Sequence, residues 1–156
     1  MLLTELFDTP IKLDWHKMGA YYFATCEIQD HYFEMPFGLI DPENDVWLTN
    51  FSVDGNVTIT NDGIAKQVFA AATKAIINWS AKVNPKWIIF TASTDEPSRI
   101  RLYRRMRTRL SGWHDLSTQS EIWPQEAKDH VNAAEELTVL VRDDIYRNIS
   151  KTTNSS

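Results

Sequence analysis

The sequence predicts a mixed α/β (α+β) fold with one central mixed sheet. An antiparallel meander is followed by a helix, a buried parallel strand, a second helix and a closing strand. Three observations carry this prediction. Aromatic-rich stretches between residues 20 and 53 are joined by connections too short for a crossover, which makes them antiparallel neighbours. Apolar residues then recur every three or four positions from Ile64 to Val83, the spacing of one helix face. Trp87–Ala92, WIIFTA, follows as a nearly unbroken apolar run, the pattern of a strand covered on both faces beside a crossover helix.

Residues 1–18 read as a weak helical start and a connecting stretch. Ala20–Ile28 is the first strand, and the polar Gln29-Asp30 turns the chain. Tyr32–Ile40 is the second strand, where Pro36, which has no N–H, points to an edge position or a bulge. DPEN at Asp41–Asn44 is a turn, Val46–Val53 the third strand, and Asp54-Gly55 a further turn. The long helix runs from about Asp62 to Val83. Asn61 or Asp62 caps its start, Ile64, Val68, Ala72, Ile76, Trp79 and Val83 form its apolar face, and Asn84-Pro85 stops it. After the buried strand, Ser93–Pro97 loops into a helix whose stripe is Leu102, Tyr103, Met106 and Leu110, closed by Gly112. Trp113–Leu116 is a brief strand. Pro124–Ala134 is a helix with proline in its first turn, and Leu137–Arg142 is the final strand. Residues 1–150 form one domain, and the tail 151–156, KTTNSS, lacks apolar content and is expected to be mobile. The expected core includes Val68, Phe69, Ile76, Ile88, Phe90 and Leu102.

Composition narrows the functional classes. The chain has 156 residues, 43% of them hydrophobic, enough for a packed core and too many for a disordered chain. Cys26 is the only cysteine, which excludes an intrachain disulfide and a cysteine-rich metal site. His16, His31, His114 and His130 are scattered without ligand spacing, so no metal is expected. The start lacks a secretory pattern and no apolar run reaches membrane length, so a cytoplasmic, non-membrane protein is expected. Six of the eight arginines lie in residues 99–109 of a chain with net charge −5. The rest carries 10 Lys+Arg against 21 Asp+Glu, a balance of −11. That body repels phosphate, so nucleic acid is not an expected partner.

The element order resembles the GNAT N-acetyltransferase superfamily over residues 20–116. TNDGIA, Thr60–Ala65, sits where that family has Gln/Arg-x-x-Gly-x-Gly/Ala, and SRIRLYRRM, Ser98–Met106, is similar to its second helix. A narrower resemblance is to phage-encoded proteins with a Gly-containing turn before a helix and Ser-Arg-x-x-Leu-Tyr after the buried strand. It implies a phage protein acting in host cytoplasm. The chain departs from the family pattern at Thr60, Asp62, Glu96 and Arg99, and it lacks Gly-Phe after the tyrosine.

The resemblance implies acetyl-CoA as acyl donor and an amine as acceptor. Its cofactor-binding residues would be Asp62, Gly63, Ile64, Ala65, Lys66 and Arg99, with the amides of Gly63–Lys66 on the pyrophosphate at a helix start. The alternative is that Asn61 and Asp62 only cap the helix. Tyr103 would be the catalytic general acid for the departing thiolate, or else a core tyrosine. The general base would stand beside the splayed strands. Glu34 and Asp54 are the carboxylates there, or else solvated surface groups. The arginine helix is a solvated face paired with acidic residues, a contact for cofactor phosphates through Arg99 and Arg101, or a surface for a protein partner. Two readings follow: a GNAT-type acyltransferase, and a non-catalytic GNAT-like module that binds through its arginine helix.

Overall fold

A computed structural model describes residues 11–55, 62–93, 97–129 and 135–154. The strands are β1 (Asp14–Met18), β2 (Tyr21–Ile28), β3 (His31–Asp41), β4 (Val46–Thr49), β5 (Ser52–Val53), β6 (Trp87–Ser93), β7 (Trp113–Asp115) and β8 (Glu135–Arg142). The helices are α1 (Asp62–Val83), α2 (Pro97–Arg107), α3 (Gln125–Asp129) and α4 (Asp143–Asn154), with a 3-10 turn at Ser120–Ile122. All eight strands form one sheet in the order β1-β2-β3-β4-β6-β8-β7, and β5 pairs with β3. Every pairing is antiparallel except β4 with β6, which runs parallel from Val46↔Trp87 to Thr49↔Phe90. The expected mixed sheet, and the parallel pair bridged by the long helix, are therefore both present.

Sequence and structure differ where local pattern is silent. β1 lies in the stretch read as a connection. All five of its residues are exposed, so no alternation marks it, and its ladder with β2 alone makes it a strand. Pro36 sits on β3, which is an interior strand and not an edge. Phe37↔Thr49 and Glu34↔Ser52 share one register, and pairing lapses between them, at Asn50-Phe51 opposite Met35-Pro36. A proline cannot donate to a ladder, and the strand expected as Val46–Val53 is split there into β4 and β5. The Thr49 hydroxyl donates to the Pro36 carbonyl at 2.6 Å. The Gln29-Asp30 turn places both residues at positive φ, 47° and 68°, the geometry of a two-residue hairpin that follows strand twist.

Two apolar layers cover the sheet. On one face α1 and α2 pack on β2–β6. Ala71, Ala72 and Ala75 of α1 are fully buried, and these small side chains bring the helix close to the sheet. Trp79 stacks on Phe37 at 4.3 Å and meets Trp47 edge-on at 5.1 Å. Val68, Ile76, Ile88, Phe90 and Leu102 are buried as expected. Phe69 is only partly buried, because one position along a helix turns a side chain about 100° off the stripe set by Val68. On the other face, Ile145, Tyr146 and Ile149 of α4 pack with Trp123 on Trp87, Ile89, Val139 and Val141. Residues 151–154, expected in a mobile tail, form the last turn of α4. Three apolar positions three and four apart suffice to dock the helix, and its final polar turn continues the same backbone bonds. The expected helix Pro124–Ala134 is described only as α3, because residues 130–134 lie outside the described set. No described helix is long and apolar enough to cross a membrane.

Candidate functional site

The parallel pairing of β4 and β6 stops at Thr49↔Phe90. Beyond it, the chain after Thr49 follows β3 through Ser52 and Val53, while β6 follows β8 to Ser93↔Glu135. The two parallel strands therefore part at their carboxyl ends and open the sheet. Phe51 borders the opening on one side, and Phe90 and Ala92 on the other. From α2, Tyr103 covers the helix-side face. Its ring lies 5.1 Å from Phe90 and edge-on to Phe51 at 5.8 Å. The Arg99 guanidinium lies over the Phe51 ring at 4.3 Å. Both Arg99 and Tyr103 are only 2% exposed.

These positions sort the expected site residues. Tyr103 is a core residue by burial and also borders the opening, so the two sequence readings describe one location. Arg99, expected at the cofactor phosphates, is buried beside the opening, with its guanidinium over Phe51. Ile64 is buried, Ala65 half-buried and Lys66 exposed in the first turns of α1. The helix begins at Asp62, so the amides without an intrahelical acceptor are those of Asp62–Ala65, while the Lys66 N–H lies within reach of the Asp62 carbonyl. Asn61 and Thr60 lie outside the described residues. Glu34 is half-buried on β3 between Thr25 and Ser52. It alternates with Phe33 and Met35, so it stands on the sheet face away from Tyr103. The structure does not bring Glu34 and Tyr103 together on one face.

The remaining arginines of α2 divide as the helix turns. Arg101, Arg104 and Arg105 are exposed, as is Arg109 just past the helix end, and Arg107 pairs with Asp115 of β7. Cys26 is buried. Burial, and after it the Asp14 carboxylate, push its thiol up to about 11, so it stays protonated and is no nucleophile at neutral pH.

Sequence reading missed one pair at this end of the sheet. His31 Nδ1 lies 2.5 Å from Asp54 Oδ2, and Asp54 Oδ1 accepts the Tyr32 N–H at 2.7 Å. The Asp54 N–H in turn donates to the Tyr32 carbonyl at 2.7 Å. The Tyr32 N–H, and then His31, hold the Asp54 carboxyl below the usual carboxylate range. His31 and Asp54 are 23 residues apart, and only the β3–β5 register joins them. A second imidazole–carboxylate pair, His114 with Asp143 at 2.7 Å, lies at the far edge of the sheet, where Tyr146 stacks flat on the imidazole at 3.9 Å. At the end of the sheet away from the opening, Trp87, Trp123, Pro124, Ile145 and Ile149 line a groove of about 330 Å³.

No family model matches the chain, and no curated protein matches it. Among solved structures, it is similar to the spermidine N-acetyltransferase SpeG from Vibrio cholerae, at 12% identity and a TM-score of 0.48. That likeness covers 85% of this chain and 71% of the other. It is also similar to the alpha-N-protein acetyltransferase RimL, at 13% identity and a TM-score of 0.46, over 80% of this chain and 70% of the other. Such values describe a likeness in overall shape.

Proposed function

We propose that the protein is an acyltransferase of the GNAT type that moves an acetyl group from acetyl-CoA to an amine. The observation that carries this reading is the parting of β4 and β6 beside Tyr103, with α1 starting from the same end of the sheet. An opening between parallel strands admits a narrow thioester arm to the interior. A helix start supplies backbone donors for its pyrophosphate. The amides of Gly63, Ile64 and Ala65 would hold that group, with Lys66 adding an exposed positive charge. Arg99 would place its charge toward the acyl end. Tyr103 would protonate the departing thiolate, which requires a phenol near the sulfur and little else. A base beside the parted strands would take the amine's proton.

A second reading is favoured by the exposed arginines 101, 104 and 105 on one short helix, with Arg109 in the turn just after it, in an acidic molecule. A phage-encoded or host-directed binding module would present that face to an acidic protein partner.

Calorimetric titration with acetyl-CoA separates the two. The acyltransferase reading expects saturable binding by the wild type. It also expects tighter binding by Asp62→Asn, which keeps the side chain's size and removes a negative charge at the helix start. If neither protein binds acetyl-CoA at millimolar concentration, the acyltransferase reading fails and the binding-module reading replaces it.

A further inference from the structure

We infer that the base on β3 is His31, oriented by Asp54, and that Glu34 is not the base; this rests on the acyltransferase reading. Three features of the pair support it. The first is tautomer control. Both Asp54 oxygens accept hydrogen bonds, one from the Tyr32 N–H and one from His31 Nδ1. A carboxylate held in that state cannot donate, so Nδ1 carries the hydrogen, and in the neutral imidazole Nε2 is then the nitrogen with the lone pair. An imidazole fixed this way is a proton acceptor with a defined direction.

The second feature is backbone cost. Gln29, Asp30 and Asp54 all have positive φ, at 47°, 68° and 54°, and they flank or bind His31. Left-handed backbone is disfavoured for a non-glycine residue and persists where the surroundings hold it. The two turn residues set where β3 begins, and therefore where His31 stands. Asp54 is locked to Tyr32 through its N–H and its carboxylate together.

The third feature is placement. His31 alternates with Tyr32 and shares its face with Phe33 and Val53, the face that carries Phe51 and Tyr103. Phe33 stacks on Phe51 at 6.0 Å, and Phe51 meets Tyr103, so one aromatic row runs from Tyr103 to the residue two places beyond His31. The His31 side chain is 36% exposed, so water reaches its ring. Glu34 stands on the other face, and no hydrogen bond directs its carboxylate among the described residues. The His114–Asp143 pair has a comparable distance, yet it lies at the opposite edge of the sheet with Tyr146 on its ring.

The amine nitrogen attacks the thioester carbonyl carbon, and its proton passes through water to His31 Nε2. The C–N bond forms and the C–S bond breaks, with the electron pair leaving on sulfur. The Tyr103 hydroxyl protonates the thiolate. The imidazolium then returns its proton to solvent, and the phenolate takes one back.

The test uses full-length protein, acetyl-CoA as donor, and water or butylamine as acceptor, with released thiol as the readout and calorimetry for acetyl-CoA affinity. His31→Ala should lower kcat by about 10²–10⁴-fold with donor affinity unchanged, the range typical of a lost general base. Added imidazole should restore at least part of that rate, which a structural role for His31 would not allow. Asp54→Asn, a change at a positioning residue, should lower kcat without imidazole rescue, and Glu34→Gln should stay within a few-fold of wild type. Failure of the wild type to bind acetyl-CoA overturns the acyltransferase reading and the dyad with it. Binding with turnover that His31→Ala leaves intact, or that Glu34→Gln abolishes, overturns the dyad alone. Binding with no thiol released overturns it too, because Nε2 then activates neither water nor amine.

Discussion

Replacing Phe90 by alanine tests the packing on which the opening depends. Phe90 is 1% exposed, sits between Thr49 and Thr138 in the sheet, and lies against Tyr103 at 5.1 Å. Removing a buried phenyl ring loses its transfer free energy and leaves a cavity, together about 3–5 kcal/mol. The cost should be near the upper end, because paired strands on both sides prevent the backbone from closing the gap. For 156 residues, an unfolding entropy of about 2.1 cal/mol/K per residue gives about 0.33 kcal/mol/K for the chain. The melting temperature should therefore fall by roughly 9–15 °C. Scanning calorimetry measures this directly, and guanidinium unfolding with an unchanged m-value would assign the loss to the folded state. Phe90→Leu should cost less than half as much, since it refills most of the volume. A Phe90→Ala protein melting within about two degrees of wild type would refute the placement of β6 and of the opening beside it.

Tyr103→Phe should reduce kcat by about 10²–10⁴-fold and leave acetyl-CoA affinity nearly unchanged, because the hydroxyl acts only as sulfur leaves. Weaker binding at unchanged kcat would assign it a ground-state role instead. Arg105→Glu, at an exposed position, should change stability by less than about 1 kcal/mol. A larger loss in thermal melts would reveal a buried partner for α2. Asp54 has a carboxyl held below its ordinary value. The stability it adds is therefore complete above the unfolded-state value and disappears as pH falls through the folded one. The melting difference between wild type and Asp54→Asn should be present at about pH 6 and vanish towards about pH 2. If the difference persists unchanged in acid, the carboxylate's hydrogen bonds are not its source.

Much of the architecture was legible in the sequence because its causes are local. The spacing of Ile64, Val68, Ala72 and Ile76 sets one buried helix face whatever surrounds it, and α1 runs from Asp62 to Val83 as that spacing requires. WIIFTA offers water only the Thr91 hydroxyl, so it reads as an interior strand. A long helix between it and a preceding strand makes the two parallel. The location of Tyr103 on an apolar stripe was legible for the same reason.

Tertiary structure decided whatever depends on a distant partner. β1 has no buried residue, and what makes it a strand is its ladder with β2, with Trp15 stacked on Phe37 at 6.0 Å. The split of the third strand follows from the missing N–H of Pro36, which matters only once β3 lies beside it. Arg99 carries a charge that sequence statistics place at the surface, yet α2 lays it over Phe51 in the interior. In sequence His31 was an isolated histidine and Asp54 a turn residue and one of two candidate carboxylate bases, and only the β3–β5 register brought the two together across 23 residues. Propensity and periodicity act over a few residues, so sequence alone determined which elements form. Strand pairing and desolvation act across the whole chain, so only the folded structure determined which side chains meet.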